Sequence, residues 1–273
     1  MARARVIVLG GSGRIGRFLA KAWARSAPDF EVLWQSRTGD DDLTWDITSP
    51  PPAASADAVL CLAGVTPPYV QRTGTLMSDN VSLGVAAVEA ALKWRARRVL
   101  LASSAAVYGP GDGLLPEDAP LNPINDYGAA KVEMERAVAG LAPPEVCCLR
   151  IGNVAGVDAL LGQSQHRNIT LDRFATGHGP ERSYIGPLGI ARVFEALLTT
   201  DTALPKALNI AAPAPVYMEE LLAAADIPFV WQSAPKTAVP SVVLDTRALE
   251  HIAPGAAGDG SALSLMSELK TLS

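Results

Sequence analysis

The run Val6-Ile7-Val8-Leu9 leads without a break into Gly10-Gly11-Ser12-Gly13-Arg14-Ile15-Gly16. Four consecutive apolar residues suit a parallel strand buried on both faces, and Phe18-Leu19-Ala20-Lys21-Ala22-Trp23 beyond them reads as a helix. The glycines at 10, 13 and 16 therefore occupy a strand-to-helix turn. Such a turn offers backbone N–H groups and the positive end of a helix dipole to a pyrophosphate. Gly10 and Gly13 leave no side chain in the way, and Gly16 lets the helix close onto the strand. A purely structural turn is the competing reading. The strand before it and the helix after it argue against that.

Strands and helices then alternate. Phe30–Trp34, Leu43–Ile47, Ala58–Gly64 and Arg98–Ser104 read as strands, and residues 78–94 carry a helical apolar pattern. This order predicts an α/β fold with a doubly wound parallel sheet and ligands at the carboxyl ends of its strands. The second strand ends in Gln35-Ser36-Arg37, with no acid before Asp40. An acid there would bind a ribose 2′-hydroxyl, whereas an arginine suits a 2′-phosphate. Arg37, with Arg14 as a second partner, favours NADP(H) over NAD(H); a solvated surface arginine is the alternative. Leu62-Ala63-Gly64, small residues at a strand end, let backbone approach a cofactor.

Ser104 and Tyr127-Gly128-Ala129-Ala130-Lys131 form a second constellation. Tyrosine and lysine four residues apart share a helix face. A nearby ammonium is expected to lower the phenol's pKa and make it a proton donor or acceptor at neutral pH, while the serine holds a substrate oxygen. The spacing alone equally suits a solvated helix face.

Taken together, these stretches resemble the extended short-chain dehydrogenase/reductases, the NAD-dependent epimerase/dehydratase family. The resemblance rests on Gly10 to Gly16, Trp45-Asp46-Ile47, Leu62-Ala63-Gly64, Asp79-Asn80-Val81 and Ser103-Ser104-Ala105-Ala106-Val107-Tyr108-Gly109. It continues through Pro116-Glu117, Tyr127 to Lys131 and Leu149-Arg150-Ile151-Gly152-Asn153-Val154. It implies a Rossmann sheet with a small C-terminal substrate lobe: residues 1–154 binding dinucleotide, and residues 155–273 mostly substrate lobe, with 190–225 returning to the sheet. It also implies that Asp46, with Ile47 beside it, contacts adenine and that Ala63-Gly64 lines the cofactor. Ser104 and Tyr127 would handle the substrate oxygen, and Lys131 would hold the nicotinamide ribose and tune Tyr127. Ser103 is the less suited hydroxyl. Asn80 reads as a cofactor contact or a helix-start cap. Asn153 and Arg182 are the substrate-binding candidates, Arg182 in a stretch similar to one that binds a substrate phosphate; a surface role is its alternative. Beyond Arg182 the chain departs from the pattern. Gly186-Pro187-Leu188-Gly189 replaces the family's histidine, valine and acid, so the following helix must start differently.

Ile169–Gly177 reads as a helix with a glycine stop, Ala207–Ile210 as a strand, Met218–Ala225 and Ala262–Leu269 as helices. His166, His178 and His251 share no ligand spacing, and Cys61, Cys147 and Cys148 read as buried thiols, so no metal is expected. A net charge of −5 provides no basic field for nucleic acid or an anionic membrane. Without a signal-like or spanning segment, the expectation is a cytoplasmic protein acting on a small molecule, with a homodimer possible. The leading function is NADPH-dependent reduction of a carbonyl on a small or sugar-like substrate. A nucleotide-sugar epimerase or dehydratase using bound NAD is the alternative, and the short substrate lobe weighs against it. A non-catalytic NADP(H) sensor is disfavoured by the intact serine, tyrosine and lysine.

Overall fold

The computed structural model describes residues 3–39, 41–111, 113–162 and 169–272. Asp40 and His166 lie outside the described residues. In chain order the elements begin β1 (Ala4–Leu9), α1 (Arg14–Ser26), β2 (Phe30–Ser36), β3 (Leu43–Thr44), β4 (Ala58–Cys61), α2 (Pro67–Thr73), α3 (Asp79–Lys93) and β5 (Arg98–Ser104). They continue with β6 (Leu114–Leu115), α4 (Asp126–Val138), β7 (Glu145–Ile151), β8 (Asn153–Val154), β9 (Ile169–Arg173), β10 (Glu181–Ile185) and α5 (Pro187–Thr199). The last are β11 (Ala207–Ile210), β12 (Pro215–Tyr217), α6 (Met218–Ala224), β13 (Phe229–Ser233), β14 (Ser241–Leu244), α7 (Arg247–Ile252) and α8 (Ala262–Leu272).

Seven strands form one parallel sheet in the order β11-β7-β5-β4-β1-β2-β3. β1 lies between β2 and β4, parallel to both. Strand order reverses there, so the carboxyl ends of β1 and β4 open the crevice at which doubly wound sheets bind ligands. The chain divides into two compact units, one of Met1–Gly109, Leu121–Arg150 and Leu197–Leu208, the other of Pro110–Pro120, Ile151–Ala196 and Asn209–Ser273.

In the first unit, alternate strand residues point to one face. Ile7 and Leu9, Val59 and Cys61, and Val99 and Leu101 pack there against Ala87, Ala90, Ala91 and Trp94 and against Met134 and Val138 of α4. Small residues on α3 bring it close to α4: a Cβ on Gly84 would stand 2.6 Å from Met134 Cγ. α1 buries Gly16, Leu19, Ala22 and Trp23 along one stripe. Cys61, Cys147 and Cys148 are buried and unbonded.

In the second unit β10 pairs with β12 (antiparallel) and with β14 and β8 (parallel). Tyr184, Val216, Leu221, Leu222, Leu265 and Met266 form its core, which brings α8 into the packing. The helix expected over 169–177 is not formed. Ile169–Arg173 is a strand paired in parallel with β13, and Gln232 Nε2 donates to Asp172 Oδ1 at 2.7 Å. Gly177 (φ +89°) closes a turn in which Phe174 N–H donates to the His178 carbonyl. Cross-strand pairing thus overrides the short apolar pattern.

The altered start of α5 has a specific cause. Gly186 caps this helix without a side chain, and its carbonyl accepts the first helical bond from Ile190 N–H. The carboxylate of Glu268, on α8, takes the place of a capping side chain. Its Oε2 accepts from Leu188 N–H (3.0 Å) and Gly189 N–H (2.9 Å), and its Oε1 accepts from Arg192 Nη2 (3.0 Å). A Cβ on Gly186 would fall 1.9 Å from that Oε2, so the glycine makes room for the remote cap. Glu268→Ala is expected to lower stability by about 1–2 kcal/mol in urea denaturation, a normal N-cap loss. Unchanged stability would mean that water replaces the carboxylate at no cost.

Candidate active site

Gly10 turns the chain with φ +77°, and a Cβ there would lie 2.6 Å from Ala63 N. A side chain at 10 would therefore push β4's end away from β1. The turn is pinned from β2: Gly10 N–H donates to Gln35 Oε1 (2.9 Å), Gly11 N–H to the Gln35 carbonyl (3.2 Å), and Gln35 Nε2 to the Trp45 carbonyl. Gln35, fully buried, was not legible as a site residue; its one signal was a polar residue inside an apolar strand. Gly13 caps α1 without a side chain, the first turn holds no acid, and a Cβ on Gly16 would overlap the Gly11 carbonyl oxygen. Arg14 and Ile15 open the helix.

Around this turn, exposed Asp46 accepts from Thr48 N–H (3.0 Å) and Thr48 Oγ1 (2.8 Å), which, with the Arg37 charge nearby, holds its carboxyl below the usual range. Ile47 is buried beside it. Arg37 follows β2 directly, is exposed, and donates from Nη2 to the Tyr69 hydroxyl (2.8 Å). Leu62 N–H bonds the Leu9 carbonyl, so Leu62, Ala63 and Gly64 run along the end of β1. Asn80 is neither the cap of α3 nor open to solvent. It is 1% exposed, accepts from Val65 N–H (3.1 Å) and donates to the Val65 and Met77 carbonyls (2.9 Å each), fixing the loop after β4.

Ser104 ends β5 and caps a single 3₁₀ turn over Ala105–Val107, its Oγ accepting from Ala106 N–H (3.2 Å). α4 starts at a proper cap, Asn125 Oδ1 accepting from Gly128 N–H (2.8 Å). Gly128 lies against that 3₁₀ turn, where a Cβ would be 2.3 Å from the Ala106 carbonyl oxygen. This approach delivers Tyr127 to Ser104, whose side chain acts to lower the phenol's pKa. Burial raises the Tyr127 pKa, opposed by the Ser104 side chain and by the Arg14 charge. The expected depression of the phenol by Lys131 is therefore overridden by desolvation. The Lys131 Nζ stands 5.9 Å from the Tyr127 ring centre and donates to the Ala102 carbonyl (2.8 Å).

Behind this pair, Glu135, one further turn along α4, accepts from Ser103 Oγ (2.5 Å) and makes a buried bidentate ion pair with Arg150. Arg150 Nη1 donates to the Tyr108 hydroxyl (2.8 Å). Ser103 thus belongs to a structural network, leaving Ser104 as the hydroxyl beside Tyr127. The i, i+4 continuation from Lys131 was the available signal for Glu135. In the second unit, Asn153 lies opposite Tyr184 in the β8–β10 ladder, and the Tyr184 hydroxyl donates to Asp158 Oδ2 (2.8 Å). Arg182 donates to the carbonyls of Glu181 (2.7 Å), Val239 (2.8 Å) and Pro240 (3.2 Å), tying β10 to the 239–240 segment. Among the described residues no cluster of metal ligands occurs.

The donor set fits a nicotinamide dinucleotide: an open, acid-free helix N-terminus at a glycine turn, an aspartate beyond the neighbouring strand, and a lysine beside Gly64. A Cβ on Gly64 would stand 3.2 Å from Lys131 Nζ, so the glycine keeps the ammonium within reach of the crevice. The serine, tyrosine and lysine thus lie beside the glycine-turn crevice, as the sequence resemblance implies. The chain belongs to the NAD dependent epimerase/dehydratase family, whose model matches residues 6–211. It is 29% identical over 175 residues to a UDP-glucose 4-epimerase of Lactobacillus helveticus, covering 57% of this chain and 53% of that protein. The chain spans about half the length of the first curated relatives it matches. The fold matches MoeE5 in complex with UDP-glucose and NAD (TM-score 0.77, 22% identity, 97% of both chains). It also matches the dTDP-glucose 4,6-dehydratase DesIV of Streptomyces venezuelae (TM-score 0.75, 18% identity, 98% of this chain and 95% of that one). No helix among the described residues is long and apolar enough to cross a membrane.

Burial lowers the Lys131 pKa from 10.5 to about 8. The unfolded chain therefore holds this proton more tightly, and between these values stability rises with pH; below about pH 8 both states are protonated and the cost of the buried ammonium is borne in full. Relative to Lys131→Met, the wild type should gain about 2–3 kcal/mol in denaturation experiments from pH 7 to pH 10. A flat difference would mean that Lys131 titrates as in a free peptide.

Proposed function

We propose that the chain is a nicotinamide-dependent oxidoreductase that reduces a carbonyl on a small or sugar-like substrate, with NADPH as the preferred donor. The observation that carries this reading is that Ser104, at the end of β5, and Tyr127, on the first turn of α4, come together close to Lys131 and the glycine-turn crevice. Tyr127, kept neutral by burial, is in its proton-donating state at pH 7. Ser104 orients the phenol and can hydrogen-bond a substrate oxygen. Lys131 would hold the nicotinamide ribose and bring positive charge to the phenol's side. The dinucleotide, when bound, supplies or accepts the hydride. Tyr127 then gives its proton to the developing alkoxide, or removes one from an alcohol in the reverse direction. Asp46 would meet the adenine, and Asn153 and Arg182 are carried as substrate contacts; Arg182 would have to exchange its carbonyl bonds for a substrate anion.

Arg37 supports the phosphate-bearing cofactor: it follows β2 directly, and among the described residues no carboxylate pairs with it. A second reading, an epimerase or dehydratase that retains NAD through its turnover, is favoured by the relatives, described as UDP-glucose 4-epimerases, and by a neighbour holding UDP-glucose and NAD. Nucleotide released from purified protein, followed by titration with NADPH and NADH, separates the two. Exchangeable NADPH with weak NADH supports the reductase; retained NAD selects the second reading.

Tyr127→Phe should leave cofactor affinity within about twofold and lower turnover by at least about 100-fold, the scale of a lost general acid. Unchanged turnover removes Tyr127 from the chemistry. Arg37→Gln should weaken NADPH by about 10- to 100-fold with little effect on NADH. Equal loss for both would refute the phosphate assignment.

A further inference from the structure

Arg37 does not stand alone at the end of β2. Its Nη2 donates to the hydroxyl of Tyr69 at 2.8 Å, and its guanidinium carbon is 5.8 Å from the Tyr69 ring centre. Tyr69 lies on α2, the short helix that follows the Ala63-Gly64 end of β4. One turn further along α2, Arg72 presents its guanidinium carbon 5.4 Å from the centre of the same ring. Two exposed arginines from different elements thus converge on one half-buried tyrosine. Among the described residues neither arginine forms an ion pair with a carboxylate. The Asp46 carboxylate, which feels the Arg37 charge, is held by Thr48. Like charges brought onto one ring repel at a cost that a bound dianion would reverse, and cation–π contact with the ring offsets part of it.

α2 is well placed for this. Thr66, Pro67 and Pro68 fix its start, and it ends at Gly74 in the left-handed region, so its seven residues hold Tyr69 and Arg72 at a set position. Tyr69 N–H and Val70 N–H both bond the Thr66 carbonyl, which joins α2 rigidly to the loop that Asn80 fixes through Val65.

We propose that Tyr69 and Arg72 complete the cofactor-discriminating site: Arg72 is a second cation for a ribose 2′-phosphate, and Tyr69 is a positioning residue that holds Arg37 toward it. The inference rests on the 2′-phosphate reading of Arg37. It adds two residues from an element that the glycine turn and β2 do not contain.

The test is calorimetric binding of adenosine 2′,5′-bisphosphate and of 5′-AMP to the full chain, with no turnover involved. The wild type is expected to prefer the bisphosphate by at least about 10-fold. Arg72→Gln should cut the bisphosphate affinity about 10-fold, the loss of one charge-assisted contact, and leave 5′-AMP unchanged. Tyr69→Phe, which keeps the ring and removes the hydroxyl, should cut it about fivefold in the wild type and have no further effect in an Arg37→Gln background. That dependence on Arg37 separates positioning from a structural role, since a general loosening of α2 would weaken 5′-AMP too and persist in the double variant. If the wild type prefers the bisphosphate but neither variant alters the preference, Tyr69 and Arg72 are excluded while the Arg37 reading stands. A wild type without preference overturns both.

Discussion

The contact on which the rest depends is backbone against backbone: Gly10 at the end of β1 and Ala63 at the end of β4. Adjacent parallel strands whose order reverses between them normally splay enough for side chains at their carboxyl ends. Here the separation leaves no room for even a methyl group at position 10. The glycine turn, Gln35 beneath it and Leu62 bonded to Leu9 hold the two ends together. Everything proposed for the site is placed relative to this joint: α1 by the turn, the Ala63-Gly64 backbone by β4, and the Lys131 ammonium by its closeness to Gly64.

A second close approach does for the chemistry what the first does for the cofactor. Gly128 lets the 3₁₀ turn after Ser104 press on the first turn of α4, and one residue earlier Tyr127 meets Ser104. Along the same helix the environment changes every four residues. Tyr127 is half-buried and neutral, Lys131 is buried and donates to the Ala102 carbonyl, and Glu135 is buried against an arginine. A buried Glu135–Arg150 pair is weak evidence for stability, but it needs both partners and their hydrogen bonds in place. Ser103 and Tyr108 supply those bonds, so Ser103 belongs to the buried network while its neighbour Ser104 caps the 3₁₀ turn beside Tyr127.

Much of the first unit was readable because its signals are local. A buried parallel strand, a glycine turn and an i, i+4 pair each show within a dozen residues. What escaped was set by partners distant in sequence. Gln35 is a polar residue in a strand until the turn of Gly10 comes down on its side chain. Glu135 is one more helix glutamate until Arg150 arrives from β7. The phenol's pKa shifts up rather than down: a lysine four residues away is visible in sequence, while the burial that outweighs it is not. Ile169–Arg173 failed for the same reason: five residues carry too little periodicity to distinguish a strand from a helix, and β13, sixty residues on, decides the outcome.

The capping of α5 by Glu268 has a temporal side. On a ribosome, chain emerges from the N-terminus, and Leu188 precedes the carboxylate that satisfies its N–H by 80 residues. Until α8 is made, the start of α5 has free N–H groups and a glycine where a capping side chain would stand. The second unit therefore reaches its final hydrogen bonding only as the last helix emerges, whereas the strands and helices of residues 4–104 have their partners much sooner. A chain cut before Glu268 would leave the first turn of α5 with unsatisfied N–H groups.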